Sequence, residues 1–255
     1  MNQLLIDLGN TRVKWALRRR GRLGRMQALT FSGDGSTQLR QLAAAASRAK
    51  VDSVVAVNVA GATRERALRR SFKAAALPVP RFIASQAVAA GVRNGYRDIW
   101  RLGADRWVAA VAAWHEAGRG CAVAAIDIGT ATTLDVVEPS GRHRGGLIIP
   151  GPALMVESLL RGTRGIARRA AGGRLQGRRT LAADTASALQ LGALQATAAF
   201  IERSAAQLRE AHGESARIFV TGGGAAALRS MLPTGCEVIP DLVLRGLAVL
   251  ADEAP

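Results

Sequence analysis

Ile6-Asp7-Leu8-Gly9-Asn10-Thr11 is the stretch that decides the fold, because its layout returns at Ile126-Asp127-Ile128-Gly129-Thr130-Ala131. Each copy closes an apolar run, residues 3–8 in one case and 121–128 in the other. A second apolar run follows each turn, at 13–17 and at 132–137, so both turns join strand to strand and not strand to helix. A repeat of this kind predicts two similar α/β halves with a cleft between them, meeting near residues 118–120.

The rest of the chain fits that plan. Residues 26–31 read as a third antiparallel strand after the first turn, and 146–149 as its counterpart after the second. Alanine-rich and amphipathic stretches predict helices over 38–50, 63–77, Ala104–Glu116, 152–160, 180–210, 225–231 and Leu242–Ala251. Strands are expected at 52–59, 217–220 and 237–239. Residues 162–179, rich in Gly and Arg, read as a mobile surface loop.

Composition narrows the function. At 255 residues and 49% hydrophobic, the chain can bury a substantial core, although aromatic residues make up only 4%. It has no apolar run long enough to span a membrane, and its first ten residues do not read as a signal peptide. Cys121 and Cys236 are isolated, and His115, His143 and His212 are scattered, which predicts a reducing cytoplasm and neither disulfides nor a zinc site. The net charge of +16 comes from 35 basic residues spread along the chain, of which only Lys14, Lys50 and Lys73 are lysines. The dense clusters carry no interleaved aromatics to stack bases, so a nucleic-acid partner is not expected.

The two turns suit phosphate. A glycine after a strand lets the backbone bend sharply and bring neighbouring N–H groups to a ligand. Thr11, Thr130, Thr132 and Thr133 add hydroxyls, and Lys14 adds charge. The acid in each turn repels phosphate but can hold a cation that bridges to it. No G-x-x-x-x-G-K-[ST] is present. Gly222, Gly224 and Ala227 fit G-x-G-x-x-A, but too little chain follows Asp241 to complete a dinucleotide-binding sheet.

Several motifs together resemble type III pantothenate kinase, of the acetate kinase/sugar kinase/Hsp70/actin superfamily. They are Asp7-Leu8-Gly9-Asn10-Thr11 with Lys14, Gly103-Ala104-Asp105-Arg106-Trp107, the run from Asp127 through Thr133, Gly145-Gly146, Pro150-Gly151 and Thr221-Gly222-Gly223. The resemblance runs from Asp7 to about Gly224, and the Gly-x-Asp-Arg between the turns is what points to pantothenate. It implies an α/β fold class: two duplicated ribonuclease H-like domains, residues 1–118 and 119–255, with mixed sheets flanked by helices and an ATP cleft between them.

The resemblance also implies roles. Asp7, Leu8, Gly9, Asn10, Thr11, Arg12, Val13, Lys14 and Thr130 would bind ATP. Asp105 would be the catalytic base, and Tyr96, Gly103, Ala104, Asp105, Arg106 and Thr185 would contact pantothenate, Arg106 by pairing with the substrate's carboxylate and Thr185 across a homodimer interface. Asp127 would hold a monovalent cation, K⁺ or NH₄⁺, while Mg²⁺ accompanies ATP. Alternatively, Asp105 caps the helix that follows it. The chain departs from the family where the strand after Asp52 ends Asn58-Val59-Ala60-Gly61 instead of in a serine-rich segment before proline, and where a proline is missing near Tyr96. Two other functions stay open: another small-molecule kinase or phosphatase of the superfamily, or a transcription-accessory regulator on the same fold.

Overall fold

A computed structural model describes residues 1–171 and 181–253. The chain runs β1 (Asn2–Leu8), β2 (Arg12–Arg19), β3 (Arg22–Leu23), β4 (Gln27–Thr30), α1 (Ser36–Ala49), β5 (Ser53–Asn58), α2 (Gly61–Ala74), β6 (Arg81–Phe82), β7 (Val88–Ala89) and β8 (Val92–Arg93). After a short 3-10 turn at Ile99–Arg101 come α3 (Ala104–Glu116), β9 (Val123–Ile128), β10 (Ala131–Val137) and β11 (His143–Pro150). Then follow α4 (Pro152–Gly162), α5 (Arg164–Ala170), α6 (Thr185–His212), β12 (Arg217–Thr221), α7 (Ala225–Leu228), β13 (Cys236–Val238) and α8 (Leu242–Ala251).

Two mixed sheets carry the repeat. The first has the order β3-β2-β1-β5-β6, with β4 also paired to β2, and the second has the order β11-β10-β9-β12-β13. β1 and β9 occupy equivalent places, each antiparallel to the strand after its turn and parallel to a later strand, β5 or β12. Both are central and buried on two faces, which is why they read as near-continuous apolar runs.

The side-chain alternation of these strands builds five layers. Leu4, Ile6 and Leu8 pack with Leu39 and Leu42 of α1 and with Leu68 and Phe72 of α2. On the opposite face Leu5 joins Val55 and Val57 in a cluster that includes α3, α8, and Val123 and Ala125 of β9. The outer face of β9, Ala124, Ile126 and Ile128, meets Ala198, Ile201 and Ala205 of α6. α3 and α8 therefore lie between the two sheets. Their crossing needs a glycine: a Cβ on Gly246 would fall 2.2 Å from the Val108 carbonyl oxygen. α8 brings the last helix of the chain back onto the first sheet, where Arg18 of β2 donates two hydrogen bonds to Asp252.

The loop expected over 162–179 is partly helix. Residues 162–170 form the end of α4 and all of α5, with Thr163 donating to the Leu159 carbonyl at the junction, and 172–180 lie outside the described residues. The expected helix at 225–231 is shorter, ending at Leu228.

Candidate active site

The C-terminal ends of β1, β5, β9 and β12 and the start of α3 converge on one cleft, the place where open α/β sheets bind ligands. The two turns touch across it, with the hydroxyls of Thr11 and Thr130 3.1 Å apart. Each glycine closes its own turn. The Gly9 N–H donates to the Arg12 carbonyl and the Gly129 N–H to the Ala131 carbonyl, both at 3.0 Å, so the first turn is one residue longer. Asn10, Thr11 and Arg12 are exposed, whereas Leu8 and Val13 are fully buried in the core and can offer a ligand only backbone.

Asp7 faces the α3 layer and pairs with Lys14, directly opposite it on β2, at 3.3 Å. Burial works to lower the Lys14 pKa, but the carboxylates of Asp7 and Asp127 and the hydrogen bond to Asp7 outweigh it and hold the ammonium above its ordinary value. One cation thus serves two acids.

Asp127 occupies the matching place on β9, opposite Thr133 of β10. Burial, with the Asp7 charge adding to it, pushes the Asp127 carboxyl up against the pull of Lys14. Gly222, at φ 96°, lies against it: a Cβ there would fall 2.2 Å from Asp127 Oδ1. The glycines after β12 are needed for this approach and for that of Arg12, whose Nη1 would lie 2.9 Å from a Cβ on Gly223. The described residues hold no cluster of three or more His, Cys, Asp or Glu able to cage a metal. A single strained carboxylate fits a monovalent cation, whose charge would stabilise the anion that burial disfavours. It does not fit a dedicated Mg²⁺ cage, and Mg²⁺ commonly rides on substrate phosphates instead.

Asp105 lies in the first turn of α3, and the cap position is Gly103, so the capping alternative does not hold. Its Oδ1 accepts the Arg106 N–H at 2.8 Å. Burial drives its pKa up to about 6; the Arg106 N–H opposes this, and the charges of Asp7 and Asp127 reinforce it. Gly103 leaves the carboxylate room, since a Cβ there would sit 2.8 Å from Oδ1. A carboxylate with a pKa near neutrality, beside two other acids in a cleft, is suited to accepting a proton.

Arg106 is buried and already engaged. Its Nε and Nη2 each donate to Asp135 at 2.8 Å, and its Nη1 donates to the Tyr96 hydroxyl at 3.0 Å. Thr185 opens α6, which packs on the face of the second sheet opposite α3. No contact among the described residues joins Thr185 to Asp105. At the departure after β5, Asn58 accepts the Ala60 N–H and donates to Glu65, taking over the turn into α2.

Sequence reasoning overlooked Asp135 and His143. The available signal was Asp135 itself, an acid inside the apolar strand Ala131–Val137, where it must find a partner.

The two mixed sheets and the paired turns between them define the acetate kinase/sugar kinase/Hsp70/actin class of fold. Two solved structures share the fold over nearly the whole chain. One is the (R)-2-hydroxyglutaryl-CoA dehydratase component A of Acidaminococcus fermentans, with TM-score 0.54, 15% identity, and coverage of 98% of this chain and 96% of that one. The other is a ROK family glucokinase from Streptomyces griseus in complex with glucose and AMPPNP, with TM-score 0.51, 13% identity, and coverage of 97% and 98%. The family model described as type III pantothenate kinase matches residues 3–207. A type III pantothenate kinase of Alkalilimnicola ehrlichii is 38% identical over 252 residues, covering 98% of each chain. The chain belongs to the type III pantothenate kinase family.

Proposed function

We propose that this protein phosphorylates pantothenate at the expense of ATP, giving 4'-phosphopantothenate at the first step of coenzyme A biosynthesis. The observation that carries the reading is Asp105, raised to about 6 by burial and placed in the field of Asp7 and Asp127. In this reading the triphosphate lies between the turns at Gly9 and Gly129, with Lys14 compensating its charge and Thr11 and Thr130 donating to it. Asp105 orients the pantothenate hydroxyl and takes its proton at a carboxylate oxygen as the phosphoryl group leaves ATP. Phosphoryl transfer asks for little else beyond alignment and charge neutralisation. Asp127 would hold a monovalent cation, which supplies positive charge near the phosphates when bound, and Mg²⁺ would accompany ATP.

The quaternary arrangement belongs to the same proposal. Leu147 and Ile148 of the edge strand β11 and Leu154 and Leu159 of α4 are exposed, and α4 and α5 have no buried residue. Such an apolar face supports a homodimer, through which a partner's α6 would deliver Thr185. The division near residues 118–120 is supported by each large sheet drawing all its strands from one side of it. A cytoplasmic location belongs to the same proposal. No helix among the described residues is long and apolar enough to cross a membrane.

The test is an ATP/pantothenate assay on purified protein in potassium, ammonium and sodium buffers. Turnover in potassium or ammonium, and a clear preference for pantothenate over sugars and acetate, is the expected result. Phosphorylation of another acceptor alone would overturn the substrate, and full activity in sodium would overturn the role of Asp127.

A further inference from the structure

Three polar residues are buried together beside the start of α3, with a half-buried tyrosine against them. Asp135 is 1% exposed, His143 0% and Arg106 7%, and Tyr96 closes the group at its outer side. Asp135 takes the side of the Arg106 fork through two bonds of 2.8 Å. His143 Nε2 lies 2.9 Å from Asp135 Oδ1, while its Nδ1 faces the Gly95 N–H at 3.5 Å. With Nδ1 accepting, Nε2 carries the proton and donates to Asp135. The His143 ring also stacks on Tyr96, with centroids 6.0 Å apart at 23°. Backbone glycines make this packing possible: a Cβ on Gly146 would fall 2.5 Å from Arg106 Nη2 and 2.6 Å from Asp135 Oδ1, and one on Gly95 would fall 2.0 Å from the His143 carbonyl oxygen.

Burying an ion pair does little for stability compared with apolar packing. What it fixes well is direction. Of the five N–H groups of Arg106, two point at Asp135 and one at Tyr96, which leaves one on each of Nη1 and Nη2. Its main-chain N–H holds Asp105 at the same time. We infer that Asp135 and His143 are positioning residues for acceptor recognition: they lock the Arg106 guanidinium so that its remaining N–H groups meet the acceptor's carboxylate while its backbone holds the base. The inference rests on the pantothenate kinase reading above. Asp135 neutralises Arg106 without occupying the donors left for the ligand, and His143 keeps Asp135 and Tyr96 in register on either side of the fork.

The experiment compares kcat/KM for pantothenate with that for its alcohol analogue, in which a hydroxymethyl group replaces the carboxylate. Turnover of pantothenate by the unmodified protein tests the underlying reading separately. Given that turnover, Asp135→Asn should lower the preference for pantothenate over the alcohol by about tenfold, the scale of one hydrogen bond to a charged group. The loss should appear in the KM for pantothenate, with ATP-analogue affinity within about twofold of the unmodified protein. His143→Leu, of similar volume and without the donor, should shift the same ratio in the same direction, and it serves if Asp135→Asn does not fold. A ratio unchanged in the folded variants, whether or not both substrates slow equally, would overturn the inference and reduce the network to a structural one.

Discussion

Replacing Asp105 with Asn should remove most of the turnover and yet make the protein more stable above about pH 6. Asn keeps the Oδ1 that accepts the Arg106 N–H at 2.8 Å and fits the space beside Gly103, so the local geometry survives. What disappears is a charge that burial, Asp7 and Asp127 all disfavour. The carboxyl rises from 3.8 to about 6, and two pKa units correspond to about 3 kcal/mol. Asp105 retains some contact with solvent, and screening reduces the expected gain to roughly 1–2 kcal/mol. In a chain of this size that is a rise in Tm of about 2–8 °C. The sign follows from linkage. Because the folded-state pKa is raised, the folded protein holds the proton more tightly than the unfolded chain, and native Asp105 is penalised only where it must ionise. The penalty is absent below about pH 4, grows between about 4 and 6, and is full above 6. Differential scanning calorimetry of both proteins from pH 4 to 8 reads this directly, with protein concentration held constant. In the same pH series, kcat/KM of the unmodified enzyme should climb to a plateau through about 6, while the variant loses about 10²–10⁴-fold. A variant that is less stable than the parent by the same amount at every pH would refute the electrostatic reasoning. Near-normal turnover would remove Asp105 from the chemistry.

Asp127→Asn should abolish stimulation by potassium or ammonium, because the carboxylate that burial strains is the group a cation would relieve. Initial rates across a potassium titration test this, and a variant that still responds like the parent would place the cation elsewhere. Gly222→Ala should destabilise by about 2 kcal/mol or more, since the residue sits at φ 96° and its Cβ would fall 2.2 Å from Asp127 Oδ1. Urea denaturation measures the loss, and the same variant should also weaken the potassium response by displacing Asp127.

Much of this was legible in the sequence. The spans Ala104–Glu116 and Leu242–Ala251 coincide with α3 and α8, because apolar periodicity and a glycine or proline at the ends leave little freedom. The doubled turn foretold the two sheets, whose turns then meet through Thr11 and Thr130. β6, β7 and β8 went unread because two residues each carry no period. α5 went unread because its glycine and arginines mimic a loop. The partnership of Arg106 with Asp135 and His143 was hidden for a different reason. It joins a helix to two strands of a later sheet, a juxtaposition set by the register of β10 and β11 and by α3 lying between the sheets, and no local pattern encodes it.

The return of α8 to the first sheet also bears on how the molecule is made. Leu5, Val55 and Val57, translated early, share a cluster with Leu244 and Leu247, translated after the whole second sheet. While the ribosome is still adding the second sheet, that face of the nascent first sheet has α3 but lacks α8, and the uncovered part stays sticky. Final assembly therefore waits until α8 has been made, and shortening the chain within α8 would leave the amino-terminal sheet, not only the carboxy-terminal one, as the surface on which chaperones and proteases act.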